Sequence, residues 1–320
     1  MTGHSIMLLA WIGAVTGLPI VFTAWAFMRR SGRLRLAWAV AGLLLVAYGL
    51  GVWAFLVEPN LLVVRRVTIE SRTWTGPPVR LGLISDTHVA APHVDPARVA
   101  RVVARMNAQH PDVVLLLGDY AGSHESAATR AAPQRSEILR GISAFQGLNP
   151  RLGVYAVLGN HDWWYDGGAT EQALVRAGAH VLENRALRVA RTKGPFWVAG
   201  LADLDSKRAT PSYPVAMANV PTSEPVVVMS HWPDPFAQAP DRVALTVAGH
   251  THCGQVNLPV MGRLVHASQA SRQWGCGAYV DRGRNLFVTG GVGVSILPVR
   301  FRAPPEIVVV TLKGQDLRSK

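Results

Sequence analysis

Short apolar runs that stop abruptly at Asp, Asn or His limit what this chain can fold into more than any other feature. The polar blocks are Ile84-Ser85-Asp86-Thr87-His88, Gly118-Asp119-Tyr120, Gly159-Asn160-His161-Asp162, Ser230-His231-Trp232 and Gly249-His250-Thr251-His252. Four of the five follow a short apolar run or sit at its end, so their polar residues should emerge at the tips of buried strands. Two Asp, one Asn and at least four His in such positions form the ligand set of a two-metal hydrolytic site. Taken singly, each block reads equally well as a turn, a helix cap or a satisfied histidine. Five in this order across about 170 residues point to one shared site.

The runs themselves alternate in kind. Val79 to Ile84, Val113 to Leu117 and Val154 to Leu158 read as buried strands. Between the first two, Asp95-Pro96 marks a helix start, with Val99, Val102, Val103 and Met106 following at helical spacing. Pro133 to Phe145 reads as a second helix with Ile138, Leu139, Ile142 and Phe145 on one face, and Gly122 to Ala132 as a loop over the site. Phe196 to Gly200, Pro225 to Met229, Val243 to Ala248, Leu286 to Thr289 and Ile307 to Leu312 continue as strands with little helix between them. The expected class is α/β, two sheets packed face to face and flanked by helices. In such sheets, sites form outside the carboxyl ends of the strands.

Upstream of this pattern, Ile6 to Met28 and Leu36 to Val57 are uncharged stretches of 23 and 22 residues. Each exceeds the roughly 20 residues that cross a bilayer as a helix. Arg29, Arg30, Arg33 and Arg35 crowd the loop between them. A cleaved signal peptide fits poorly, because the first run is long, no basic segment precedes it and a second run follows directly. The expected division is a two-helix membrane anchor over 1–57 with its basic loop at 29–35, a linker with an opening strand over 58–77, a catalytic domain over 78–313 and a tail over 314–320. The positive-inside rule puts the arginine loop in the cytoplasm. A multi-pass inner-membrane protein with an extracytoplasmic catalytic domain is therefore expected, although Arg65, Arg66, Arg72 and Arg80 follow the second helix and weaken the bias.

All 20 acidic residues and 28 of the 32 basic ones follow position 57, which leaves that part at +8. The excess suits an ordinary basic surface, and also attraction to anionic lipid or a phosphorylated substrate. No Lys/Arg run with interleaved aromatics is present after position 57, so nucleic acid is not an expected partner. No protein partner is indicated. The two cysteines, Cys253 and Cys276, are too few for a disulfide framework. Cys253, beside the site, is expected as a small buried filler, with metal contact or oxidation as the alternatives.

Ions that activate water for phosphoester cleavage prefer carboxylate, imidazole and amide oxygen over thiolate. Asp86 and His88, two apart on a loop leaving a strand, can point at one ion. Asp119 is the natural bridging carboxylate, since two metals about 3.5–4 Å apart need a shared anionic oxygen. Asn160 offers a neutral carbonyl oxygen, and His231, His250 and His252 complete the shells as neutral imidazoles. The Gly before Asp119, Asn160 and His250 should permit unusual backbone angles. Two divalent ions per chain are expected, Mn2+ first, with Zn2+ or Fe as the alternatives.

These blocks resemble the five signature motifs of the calcineurin-like metallophosphoesterases over about residues 78 to 313. Within them the likeness is to the bacterial membrane-associated YkuE/YaeI type, carried by Gly118-Asp119-Tyr120, Gly249-His250-Thr251-His252-Cys253-Gly254-Gln255 and the segment from Gly291 through Pro298-Val299-Arg300-Phe301 to Glu306. The resemblance implies a four-layer αββα sandwich preceded by two transmembrane helices. It implies one ion held by Asp86, His88, Asp119 and His252, and another by Asp119, Asn160, His231 and His250. His161 would be the acid that protonates the leaving oxygen, with Asp162 beside it as a second catalytic candidate. Trp163, Trp164 and Trp232 would form either an apolar substrate wall or core.

The expected function is hydrolysis of a phosphodiester or pyrophosphate by metal-activated hydroxide, on a lipid-linked or nucleotide substrate. An alternative is the UDP-2,3-diacylglucosamine pyrophosphatase of lipid A synthesis, which needs a cytosolic site. The usual enzymes of that step resemble Gly-Asp with Arg five residues on, where this chain has His124. A non-catalytic, membrane-bound metal scaffold is the alternative from another class, yet no ligand candidate is missing.

Overall fold

The structure, a computed structural model, describes residues 3–30, 32–90, 92–122 and 126–315. Helices α1 (Gly3–Arg30) and α2 (Leu34–Val52) pack side by side as a hairpin. Tyr48 donates to the Ala14 carbonyl at 2.7 Å, and the Trp25 and Trp38 rings meet at 5.1 Å. Twenty-eight residues of helix extend about 42 Å, and the outward faces are apolar and exposed, as at Val15, Phe27 and Leu43. Both helices are long and apolar enough to cross a membrane.

The remaining chain forms strands β1 (Val63–Ser71), β2 (Val79–Ile84), β3 (Val113–Leu116), β4 (Val154–Ala156), β5 (Ala179–Val181), β6 (Arg185–Val189), β7 (Phe196–Gly200), β8 (Val226–Met229) and β9 (Val243–Ala248). They are followed by β10 (Asn257–Leu258), β11 (Gly262–Arg263), β12 (Gly277–Asp281), β13 (Arg284–Val288) and β14 (Glu306–Gly314). Helices α3 (Pro96–Asn107), α4 (Ala132–Ser143), α5 (Asn160–Arg176) and α6 (Tyr213–Ala216) interrupt them. One six-stranded sheet runs β1-β14-β2-β3-β4-β5 and the other β12-β13-β9-β8-β7-β6. Both are mixed. β2, β3, β4 and β5 are parallel, as are β7, β8, β9 and β13, so their carboxyl ends converge on one side.

Side-chain alternation assigns the layers. Leu81, Leu83, Val113 and Leu115 meet Val198, Val227, Leu245 and Val247 between the sheets. Val114 and Leu116 point the other way, against Val99, Val102, Met106, Ile138 and Ile142 of α3 and α4. The outer face of the second sheet is covered by Tyr213 and Ala216 of α6, with Phe236 and Trp274. The expected four layers are therefore present, but the last is thin because little helix lies between those strands.

Asp95 caps α3 as expected, accepting the Arg98 N–H at 2.6 Å. Helix α5 is the main element the sequence pattern does not announce. It opens within the Gly159-Asn160-His161-Asp162 block, contains Gly167 and Gly168, and kinks at Asp166. Residues 58–60, expected in the linker, are docked instead. Buried Glu58 accepts the Ala303 N–H at 2.6 Å, and Arg98 donates to Pro59 and Asn60 at 2.6 and 2.8 Å. The Arg300 N–H meets the Ala54 carbonyl at 2.9 Å. The end of the second apolar helix is thus fixed to the segment before β14 and to α3.

Candidate metal centre

Asp86 and His88 follow β2, Asp119 follows β3, and Asn160, His161 and Asp162 form the first turn of α5. His231 follows β8, and His250 and His252 follow β9. All these positions lie at the convergent strand ends, and all but the half-buried His250 are buried. Asp86, His88, Asp119, His250 and His252 adopt φ of +53°, +45°, +55°, +66° and +48°. That region disfavours L side chains by about 1–2 kcal/mol per residue, so the surrounding packing holds the donors against local preference.

Gly118 does take an unusual angle, φ +96°. Gly159 and Gly249 do not, which corrects the expectation from sequence. They are needed for space, since a Cβ on Gly159 would strike the Asp119 carboxylate and one on Gly249 would strike Ser85 and Asp86.

The donors fall into three overlapping groups, and Asp119 belongs to two of them. Asp86, His88 and His252 converge on one side, and Asp119, His231 and His250 on the other. His88 Nε2 and His252 Nε2 face each other at 3.0 Å, and His252 Nε2 lies 3.4 Å from Asp86 Oδ1. Asp119 Oδ2 stands 3.2 Å from His231 Nε2 and 3.7 Å from His88 Nε2. Asn160 Oδ1 and His250 Nε2 are buried without a protein hydrogen-bond partner. Buried polar atoms are almost always satisfied, so an amide oxygen and an imidazole nitrogen without a partner among the described residues fit a divalent cation. His231 Nδ1 is held at 2.7 Å from the Leu117 carbonyl. That contact assigns the proton to Nδ1 and turns the Nε2 lone pair into the site.

Electrostatics agree with this reading. Burial alone would raise the Asp119 carboxyl, but His231, His161 and His88 hold it well below the usual carboxylate range. Burial and the neighbouring His231 push His250 down to about 3. Burial, His88 and Arg300 depress His252. These two histidines are therefore neutral ligands in waiting. His231 is the exception: burial opposes its charge, yet Asp119, Asp86 and Asp203 raise it to about 10. A divalent ion would reverse that balance, because its charge dominates the local field.

Asp162 has a different place from the one its neighbour suggests. Its Oδ1 accepts the Tyr120 and Ala121 N–H groups at 2.9 and 3.1 Å, and its Oδ2 those of Asp119 and Gly159 at 2.9 Å each. Burial and Asp119 push its carboxyl up. Four N–H donors occupy both oxygens, however, and leave no acceptor for it to protonate against, so the carboxylate is the form this cage fits. Asp162 therefore positions the Asp119 loop against α5. His161 sits beside it with its ring edge-on to His88 at 4.5 Å, and shares with His88 and Asp119 a third ligand-distance group.

Cys253 is neither a filler nor a free thiol. It forms a disulfide with Cys276, which corrects the expectation. Thr251 donates to the adjacent Gly275 carbonyl at 2.8 Å, so the bond and this contact pin the turn carrying His250 and His252. Arg300, missed as a functional residue, is fully buried behind that turn and donates to the Gly290, Gly293 and Ala303 carbonyls. Its signal was an arginine inside an apolar segment. His124 lies outside the described residues, as do 316–320 of the tail and Ser31 of the arginine loop.

A cavity of about 310 Å³ is lined by Asp119, Asn160, His161 and His250 together with Val265, Ile296 and Leu297. Trp232 stacks on His250 at 3.5 Å, and Trp164 lies 4.6 Å from His161. Both line the cavity, whereas Trp163 is buried in the core under α5.

Two mixed sheets presenting carboxylate, imidazole and amide donors at their strand ends define a metal-dependent hydrolase of the layered α/β kind. Residues 79–254 match the family model described as calcineurin-like phosphoesterase, and the chain belongs to that family. It is a hydrolase of phosphate esters with a clustered metal-binding site. A "transmembrane protein with metallophosphoesterase domain" of Danio rerio is 30% identical over 252 residues, 73% of this chain and 53% of that protein. The uncharacterized metallophosphoesterase YkuE of Bacillus subtilis (strain 168) is 27% identical over 283 residues, 86% and 94% of the two chains. Phosphodiesterase YaeI of Escherichia coli (strain K12) is 27% identical over 243 residues, 73% and 82%. The chain thus spans about half of the fish relative and most of the two bacterial ones.

Proposed function

We propose that the chain is a membrane-anchored phosphodiesterase or pyrophosphatase with two divalent ions and an extracytoplasmic site. The observation that carries this reading is that Asp119 lies at ligand distance from His88 and His161 and from His231 and His250, while His88 also groups with Asp86 and His252. Asp86, His88, Asp119 and His252 would hold one ion, and Asp119, Asn160, His231 and His250 the other. Mn2+ suits the carboxylate and amide oxygens, and Zn2+ or Fe the imidazoles. When bound, such a pair supplies charge neutralisation of the phosphoryl oxygens and activation of water at neutral pH. His161, whose ring lines the cavity beside Asp119, delivers a proton to the leaving oxygen. Asp162 keeps the loop of Asp119 in register with His161.

Two features support the orientation. The arginines at 29, 30, 33 and 35 favour a cytoplasmic loop, and the Cys253–Cys276 bond belongs to an oxidising compartment. Both count against the cytosolic UDP-diacylglucosamine pyrophosphatase. The proposed division, an anchor over 1–57 and a catalytic part over 78–313, follows from the same reading. The test is hydrolysis of bis-p-nitrophenyl phosphate by the full chain in detergent, with and without added Mn2+. Metal-dependent turnover is expected. Tight metal binding with no turnover would favour the non-catalytic scaffold.

A further inference from the structure

Two exposed apolar segments adjoin the cavity, one running between its lining residues Val256 and Val265 and the other containing Ile296 and Leu297. The turn between β10 and β11 exposes Val260 and Met261, and Leu264 and Val265 follow. Across the opening, the 295–299 segment exposes Ile296 and Leu297. Val260 is fully exposed and Ile296 is 74% exposed. Both are β-branched residues held at positive φ, +68° and +63°, where such side chains are strained. Clustered exposed apolar side chains on a folded domain mark a lipid or ligand contact.

The rim they form is also tied to the end of the anchor. Gln255 joins its two sides, donating to the Leu297 carbonyl at 3.2 Å and accepting the Ser295 N–H at 2.6 Å. Three residues beyond Leu297, the Arg300 N–H meets the Ala54 carbonyl of the second apolar helix at 2.9 Å. Three residues of extended chain span at most about 10–11 Å, so the rim lies close to where that helix ends. Charge points the same way. From Gly254 to Pro305 the only acidic residue is Asp281; Arg284, which pairs with it, and Arg300 are buried, while Arg263, Arg272 and Arg302 reach the surface, as does Arg282 at the far ends of the strands. Anionic headgroups attract such a stretch.

We infer that the β10–β11 turn and the 295–299 segment rest in the interface of the bilayer that holds the anchor. The cavity beside them, lined by Val256, Val265, Ile296 and Leu297, receives an acyl chain of an amphiphilic phosphodiester whose phosphate lies at the donor cluster. The inference rests on the phosphodiesterase reading for its substrate half and, independently of it, on the apolar rim and its tie to the second apolar helix for its membrane half.

Two measurements on the full chain test it. Met261→Cys adds the sole free thiol, since the native pair is bonded. It would be labelled with an environment-sensitive NBD probe in nanodiscs containing phosphatidylglycerol. Emission should shift to the blue and be quenched by doxyl-labelled lipid. The same probe at His110→Cys, exposed at the opposite ends of the strands, should do neither. An unquenched probe at 261 overturns the membrane contact. In the second measurement, monomeric alkyl p-nitrophenyl phosphates from methyl to hexyl are hydrolysed by the chain in detergent. Burial of each methylene is worth up to about fourfold in kcat/KM, and a rise of at least about tenfold over the series is expected. A flat series with good turnover overturns the acyl-chain cavity while the phosphodiesterase reading stands. No turnover on any member removes that reading and the substrate half together, and the probe still decides the membrane half.

Discussion

Asp119 Oδ1 accepts the backbone N–H of His161 at 2.9 Å, and this contact leaves Oδ2 facing His231 and His88. The shared carboxylate and the proposed acid are thus set by one hydrogen bond across 42 residues. Because that bond uses the His161 main chain, the imidazole can be removed without disturbing Asp119. His161→Ala should keep its bound metal and lose about 10²–10⁴-fold in turnover, the usual range for a positioned acid. The loss should shrink for p-nitrophenol as leaving group and grow for an alkoxide. Equal losses on both would remove the acid role, and loss of metal would make His161 a ligand instead.

Asp162→Asn tests the buttress. It keeps the shape but turns one carboxylate oxygen, which accepts two N–H groups, into an NH2 group facing them. A cost of about 1–3 kcal/mol is expected for the unsatisfied donors, seen as a lower Tm, with weaker metal binding although Asp162 touches no metal. Unchanged Tm and metal affinity with lost turnover would return Asp162 to a catalytic role.

The disulfide closes a loop over a sequence separation of 23 residues. Replacing both Cys253 and Cys276 by Ser should destabilise by about 3 kcal/mol on the chain-entropy view and speed metal loss from the His250–His252 turn. Thermal melts and chelator-chase kinetics check both. Identical melts with and without the bond would make it incidental.

Orientation is open to fusions at Lys320. Alkaline phosphatase activity with a dark GFP fusion is expected for an extracytoplasmic site. A fluorescent GFP fusion would reverse the topology and revive the nucleotide-lipid pyrophosphatase.

Much of this arrangement is legible in the sequence. Val243 to Ala248 and Phe196 to Gly200 match β9 and β7 to the residue, because an unbroken apolar run bounded by polar residues leaves few alternatives. The clustering of Asp86, His88, Asp119, Asn160, His231, His250 and His252 follows from placing each at the end of such a strand. What is not legible depends on contacts between distant segments. The role of Asp162 comes from N–H groups about 40 residues away, and nothing in the spacing of Cys253 and Cys276 announces their bond. Helix α5 is hidden by its glycines. β5, β6 and β12 are too short or too polar in pattern to stand out, and take their conformation from strands already in the sheets.

The most direct measurement follows bound Mn2+ and bis-p-nitrophenyl phosphate hydrolysis together as metal is returned to the stripped full chain, in wild type and in Asp119→Ala. In wild type, activity should climb with bound metal and level off at about two ions per chain, as a bridged pair requires. Asp119→Ala should bind fewer ions and stay inactive at any metal concentration. Two tightly held ions in Asp119→Ala, or full activity in stripped wild type, would contradict the shared-carboxylate centre.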